Sequence, residues 1–66
     1  MKIVMNGQAT EAAEKSTVRD LLLFYRLEPE GIIVELNERV IPGDRWAETM
    51  LCDGDRLELV SLVGGG

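Results

Sequence analysis

The sequence predicts a small α+β domain in which one main helix packs on one face of a mixed sheet of four to five strands. Three observations predict this fold: a chain of 66 residues, an Asn-Gly pair that divides the opening β-like segment, and one amphipathic helical pattern followed by further β-like segments. A domain of this size lies near the lower limit for a stable core. It leaves little room for an enclosed active site, which favours a binding or carrier protein over an enzyme.

The first two elements are predicted to form a hairpin. Residues 2–5 are an apolar run rich in Ile and Val, and residues 8–12 form the returning strand. Between them, Asn6 and Gly7 both tolerate the positive φ angles of a type I′ turn.

A helix follows, with Ser16-Thr17 at its start. Thr17 and Asp20 are spaced as in a capping box, with Asp in place of the usual Glu. One helical face carries four apolar residues, Val18, Leu21, Leu22 and Tyr25. Pro29 is predicted to end the helix, because the residue before a proline is pushed out of helical geometry.

The second half of the chain supplies the remaining strands. We predict a buried strand over residues 31–36, a tight turn at 37–38, a short strand over 39–41, a helical turn over 45–47 capped by Asp44, and a last strand over 56–63. The hairpin and the last strand can pair in the middle of the sheet, with the shorter elements at its edge. This order is typical of the β-grasp, or ubiquitin-like, fold.

Composition excludes several functions. The net charge is −5 and the seven basic residues are scattered, which argues against nucleic-acid binding and suits a partner with a basic docking surface. Without histidine, the common general base and the Ser-His and Cys-His systems are missing. One cysteine forms neither a zinc site nor an internal disulfide. No apolar run reaches the length of a membrane span. We expect a cytoplasmic protein, monomeric when free, with no bound metal or cofactor.

Three local features each allow a functional and a structural interpretation. Cys52 could carry a persulfide or thioester, but no cation lies beside it in sequence, so a small, partly buried residue next to a turn is favoured. Trp46 could anchor a partner, although an aromatic lid over the core is favoured. The Asp53-Gly54-Asp55 sequence lacks the further oxygen ligands of a calcium loop and is interpreted as a turn.

The chain finishes in Gly64-Gly65-Gly66, which is its most unusual feature. Glycines lose the most backbone entropy when they are fixed, so Val63 is predicted to be the last ordered residue. This divides the chain into a domain of residues 1–63 and a flexible tail of residues 64–66. A glycine thread can enter a narrow cleft and deliver the Gly66 carboxylate to another protein's active site. The alternative interpretation is a frayed terminus or a cloning remnant.

Taken together, these features resemble the ThiS family of sulfur carriers of thiamin biosynthesis. The resemblance covers the whole chain and rests on residues 6–7, 17–22, 33–37, 40–42, 45–46, 53–55, 57–60 and 63–66. A terminal Gly-Gly alone is a weak signal, and the matching length and the strand that runs into it add specificity. Gly64 is a variation on the commoner two-glycine ending.

The resemblance implies a mechanism in which this chain has no catalytic residue of its own. An E1-like adenylating enzyme, ThiF, would use ATP and magnesium to form an acyl adenylate on Gly66, while Gly64 and Gly65 thread into the partner's active site. A cysteine desulfurase or related donor would supply sulfur, and the resulting thiocarboxylate would deliver it to thiazole synthase, ThiG.

Three alternatives stay open on the sequence. The small subunit of molybdopterin synthase shares the fold and chemistry, but those chains are generally longer. A ubiquitin-like modifier would form isopeptide bonds to lysines. A β-grasp interaction module would have an inert tail.

The alternation of the last strand predicts a partner contact. Leu57, Leu59 and Val63 share one face, whereas Val60 and Leu62 lie on the other. We expect Val60, Leu62 and the adjoining Val63 to contact the adenylating enzyme or the synthase, unless the strand is covered on both faces.

Replacing Leu62 with Glu should weaken partner binding and leave the domain folded, because an outward-facing residue adds little to the core. Titration against a partner, paired with a thermal melt, measures both effects. Unfolding of the variant would contradict an outward-facing Leu62.

Overall fold

The computed structural model describes residues 1–61. Its strands are β1 (Lys2–Met5), β2 (Gln8–Glu11), β3 (Ile32–Leu36), β4 (Arg39–Ile41) and β5 (Arg56–Ser61). One α-helix, α1 (Val18–Phe24), follows the first hairpin, and a 3₁₀ helix (Gly43–Glu48) follows β4. The predicted extension of the last strand to residue 63 and the predicted tail of residues 64–66 lie outside the described residues.

The five strands form one mixed sheet in the order β2-β1-β5-β3-β4. The strand latest in sequence, β5, lies at the centre, parallel to β1 and antiparallel to β3. Ile3, Val34 and Leu57 lie on three neighbouring strands, are almost fully buried, and belong to one core cluster with the apolar side of α1. This arrangement confirms the predicted β-grasp fold.

The start of α1 agrees with the prediction, whereas its end does not. The Thr17 hydroxyl accepts from the Asp20 backbone N–H, and the Asp20 carboxylate accepts from the Thr17 N–H, which completes a capping box. The helix stops at Phe24, well before Pro29, because Arg26 adopts a left-handed φ of 56°. The Leu27 N–H then bonds to the Leu22 carbonyl at 2.9 Å, a terminating turn that needs no proline.

The apolar face of α1 is narrower than predicted. Val18, Leu21 and Leu22 are buried. Tyr25 lies at the C-cap and keeps 37% of its surface exposed, with its hydroxyl donating to the Glu11 carbonyl. Tyr25 is therefore a surface residue and is not part of the core cluster.

The 3₁₀ helix positions the single tryptophan. Asp44 was expected to cap this turn, but the N-cap residue is Pro42 and no side chain caps it. Trp46 is 6% exposed and its indole N–H donates to the Ile41 carbonyl at 2.8 Å. The interpretation of Trp46 as part of the core is confirmed.

Replacing Thr17 with Ala should lower the free energy of unfolding by about 1 kcal/mol, because the Asp20 N–H loses its capping acceptor. Urea denaturation followed by Trp46 fluorescence measures the loss. Thr17→Ser keeps the hydroxyl and should stay close to the wild-type protein. An equal loss in both variants would show that the Thr17 methyl group, and not the cap, is responsible.

Candidate functional site

The end of β5 is the part of the described structure that leads toward the glycines. Because β5 is central, it is flanked by β1 on one side and by β3 on the other. Of the residues predicted to act on a partner, only Val60 lies in the described range. Leu62, Val63, Gly64, Gly65 and Gly66 follow Ser61 and lie outside it.

The two faces of β5 differ as the alternation predicted. Leu57 is 1% exposed and Leu59 packs against the core, so both face α1. Val60 is 49% exposed and lies directly opposite Ile33 of β3 on the other face. The alternative of a strand covered on both faces is therefore wrong for the described part of β5. Val60 and Ile33 form an apolar spot on the open face of the sheet, next to the end of the strand.

Two acidic residues lie beside this apolar spot. Glu35 of β3 and Glu58 of β5 are direct cross-strand neighbours on the open face. Like charges placed opposite each other in a sheet oppose folding. Within residues 1–61, neither carboxylate has a basic side chain within ion-pair distance. The open face thus combines apolar and acidic groups, which suits a partner surface that is apolar and basic.

Two asparagines, each at a tight turn, hold β5 from its two sides. Asn6 and Asn37 have nearly equal left-handed φ angles of 50° and 51°. Asn6 donates its N–H to the Leu57 carbonyl and accepts from the Leu59 N–H with its side-chain oxygen at 2.8 Å. Asn37 donates to the Arg56 carbonyl and accepts from the Arg56 N–H at 2.9 Å.

The turns at Asn6 and Asn37 were predicted, whereas the contacts of their side chains with β5 were not. Asparagine is a preferred residue in such tight turns, so its presence does not distinguish a contact with β5 from turn formation alone. Which strand receives the bond depends on tertiary pairing, which the local sequence does not show.

Residues 52–55 form a structural turn. The Asp53 carboxylate accepts from the Lys2 N–H, and the Asp55 carboxylate accepts from the Cys52 N–H, both at 2.7 Å. This confirms the interpretation of Asp53-Gly54-Asp55 as a turn. Cys52 was expected to be partly buried, but it is exposed.

Neither metal ligation nor membrane insertion is indicated between residues 1 and 61. No three His, Cys, Asp or Glu side chains in this range gather closely enough to hold a metal ion. Neither helix of the described chain has the length and apolar character needed to cross a bilayer.

A groove of about 490 Å³ lies between the end of β2 and α1. Ala12, Leu21 and Phe24 contribute its apolar lining, and Glu11 and Glu14 lie at its rim. Glu11 pairs with Lys2 at the start of β1, whereas β5 begins opposite Val4 and runs past the end of β1. The groove therefore lies at the end of the sheet opposite the end of β5.

The sequence and the fold of this chain are both similar to those of known proteins. The sequence matches the ThiS family over residues 3–66. The sulfur carrier protein ThiS of Bacillus subtilis is 45% identical over 63 residues, which cover 94% of this chain and 96% of that protein. The crystal structure of the thiamine biosynthesis protein ThiS from Geobacter metallireducens superposes with a TM-score of 0.87 at 32% identity, with all of both chains covered.

A third relative is a larger protein. A thiazole synthase of Paramagnetospirillum magneticum is 35% identical to this chain over all 66 residues, and the chain spans 20% of that protein. With the family match, the identity to the Bacillus protein and the superposition on the Geobacter structure, we conclude that this chain belongs to the ThiS family.

Proposed function

We propose that this protein carries sulfur for thiazole formation in thiamin biosynthesis, as a C-terminal thiocarboxylate on Gly66. The observation that supports this most is the match to the ThiS family, which includes residue 66. The similarity to the Bacillus sulfur carrier also covers nearly the whole length of that protein. The chain acts as a protein co-substrate in this proposal, and the chemistry is performed by its partners.

The carboxylate must first be activated, because a carboxylate is a poor electrophile. Its oxygen attacks the α-phosphorus of ATP, pyrophosphate leaves, and an acyl adenylate forms on Gly66. A persulfide sulfur then attacks the acyl carbon and AMP leaves, which gives an acyl disulfide. A thiol then attacks the sulfur that belongs to the donor's own thiol, and the S–S bond breaks. The attacking thiol and the donor's thiol end as a disulfide, and the transferred sulfur stays on Gly66 as a thiocarboxylate. ATP and magnesium are bound by the activating enzyme in this scheme.

Glycines suit this role because they add no steric load next to the reacting carbonyl. Gly64 and Gly65 would thread through the partner's cleft, where a Cβ atom would meet its walls. In sequence the thread follows β5, which lies at the centre of the sheet.

Two partner classes follow from the proposal. An E1-like adenylating enzyme would load Gly66, and a thiazole synthase would receive the sulfur. The similarity of the whole chain to one fifth of a thiazole synthase supports the second partner, because in that relative the carrier-like region and the name-giving enzyme share one polypeptide. A cysteine desulfurase or related donor completes the scheme.

Mass spectrometry of the C-terminal tryptic peptide tests the chemistry. Co-expression with the adenylating enzyme and a sulfur donor should replace one oxygen of residues 57–66 by sulfur. The mass gain resembles an oxidation, but this peptide contains neither Met nor Cys, the residues that oxidise readily. The gain should require ATP. An unmodified peptide, with enzyme and donor shown to be active, would contradict the proposal.

Deletion of Gly65 and Gly66 separates the proposal from its rivals. The truncated chain should keep its fold and lose all thiazole formation, since its terminal carboxylate would lie on Gly64, two residues short of the position of Gly66. Thermal melts and a reconstituted synthase assay measure the two effects. Retained function would indicate an interaction module with an inert tail, whereas conjugates of higher mass in extracts would indicate a protein modifier.

Val60→Glu should weaken binding of the adenylating enzyme or the synthase about tenfold or more, because it buries a charge at the centre of an apolar contact. Its melting temperature should change little, since Val60 is half exposed. Met50→Glu is the matched control, because Met50 is 53% exposed and lies in a bridge to Thr17, away from the open face near β5. Equal binding by both variants and the wild-type protein would exclude Val60 from the interface.

A further inference from the structure

The Asn6 side chain extends the hydrogen bonding of β5 beyond the strand that pairs with it. The pairing of β1 with β5 covers Val4 opposite Arg56 and Met5 opposite Leu57, and β1 then ends. The next N–H of β5 that points to this side belongs to Leu59. It donates to the Asn6 side-chain oxygen at 2.8 Å, across 53 residues of sequence.

We propose that Asn6 is a positioning residue that holds the end of β5 in line for delivery of the glycines to the adenylating partner. This inference rests on the proposed function, because it assigns Asn6 a part in presenting Gly66. Asn6 does not touch the reacting atoms. It acts through the backbone of Leu59.

The number of strands that pair with β5 changes along its length, and the Asn6 bond lies where only one strand pairs with it. Around Arg56 and Leu57 the strand is bonded to β1 and to β3. From Glu58 to Ser61 its only strand partner is β3, through residues 32–35. Within the described chain, the Asn6 bond is thus the one lateral restraint on the β1 side after Leu57, and it lies two residues before Ser61.

Losing this bond should let the end of β5 fray and leave the domain folded. The bond is exposed to solvent, so a typical contribution corresponds to a few-fold to tenfold change in the local opening equilibrium. A partner that requires the extended strand binds with an apparent affinity multiplied by the fraction of molecules in which the end of β5 is extended, so the change in the opening equilibrium is the upper limit of the affinity loss. The effect should therefore appear in KM for the carrier and not in kcat.

Asn37 supplies a matched control. It makes the equivalent pair of bonds to Arg56, at the start of β5, where the β1 pairing also holds the strand. Removing its side chain costs two hydrogen bonds, one to Arg56 and one to the Asp55 carboxylate, both near the start of β5. A general loss of stability and a loss of positioning can thus be told apart.

The experiment uses the full chain in four forms: wild type, Asn6→Gly, Asn6→Asp and Asn37→Gly. Glycine keeps the left-handed turn and removes the side-chain acceptor, whereas Asp keeps an acceptor oxygen and tolerates the same φ. Amide hydrogen exchange at Val60, which pairs with Ile33 of β3, measures the opening of the end of β5. ATP–pyrophosphate exchange by the purified adenylating enzyme, with the carrier varied, measures KM and kcat.

We expect Asn6→Gly to speed exchange of the Val60 amide and to raise KM by up to about tenfold, with kcat within about twofold of wild type. Asn6→Asp should restore both values, and Asn37→Gly should leave KM unchanged. An unchanged KM in Asn6→Gly, or an equal rise in Asn37→Gly, would overturn the inference.

The two proposals fail in different ways. A wild-type chain that supports no pyrophosphate exchange with an active enzyme would contradict the sulfur-carrier function itself. Val60 exchange needs no partner protein, so it still tests the restraint. Equal Val60 exchange in the wild-type protein and in Asn6→Gly would overturn the role of Asn6 whatever the enzyme assay shows.

Discussion

The parallel pairing of β1 with β5 is the constraint on which the rest of the structure depends. It joins residues near position 4 to residues near position 56 and places β5 at the centre of the sheet. Once β5 is central, its two faces must serve different purposes. One face carries Leu57 into the core under α1, and the other stays open and presents Glu58 and Val60.

The open face shows a conflict between folding and recognition. Glu35 and Glu58 repel each other across neighbouring strands, and a half-exposed valine lies next to them. Neither feature helps a small domain that has only a few kcal/mol of net stability. Both features are explained if the face is complementary to a partner, because the domain then exchanges some stability for binding.

The sequence predicted those parts of the fold that local chemistry determines. Asn6-Gly7 predicted the first turn, Thr17 and Asp20 predicted the capping box, and all five strands were predicted. The misses have local causes that sequence patterns describe poorly. Arg26 ends α1 by taking a left-handed conformation that is unusual for a residue with a Cβ atom, and Pro42 opens the 3₁₀ helix without any capping side chain.

In the candidate site, too, features set by local sequence were predicted and features set by tertiary contacts were not. The outward orientation of Val60 follows from strand alternation and was predicted. The contact of Asn6 with Leu59 depends on where β1 happens to end beside β5, 53 residues later in the sequence. This contact depends on the register between β1 and β5, which local sequence patterns do not show. The predicted roles of Gly64, Gly65 and Gly66 remain proposals that rest on the family and on the chemistry of a glycine thread.

The central position of β5 also has a consequence for how the protein is made. Synthesis is vectorial, and β5 is the last of the described elements to leave the ribosome. Until it emerges, the β1–β2 hairpin and the β3–β4 hairpin have no strand between them and the core lacks Leu57. A nascent or prematurely terminated chain therefore has no assembled sheet to offer a partner. The fold itself restricts recognition to chains that have been translated at least through β5.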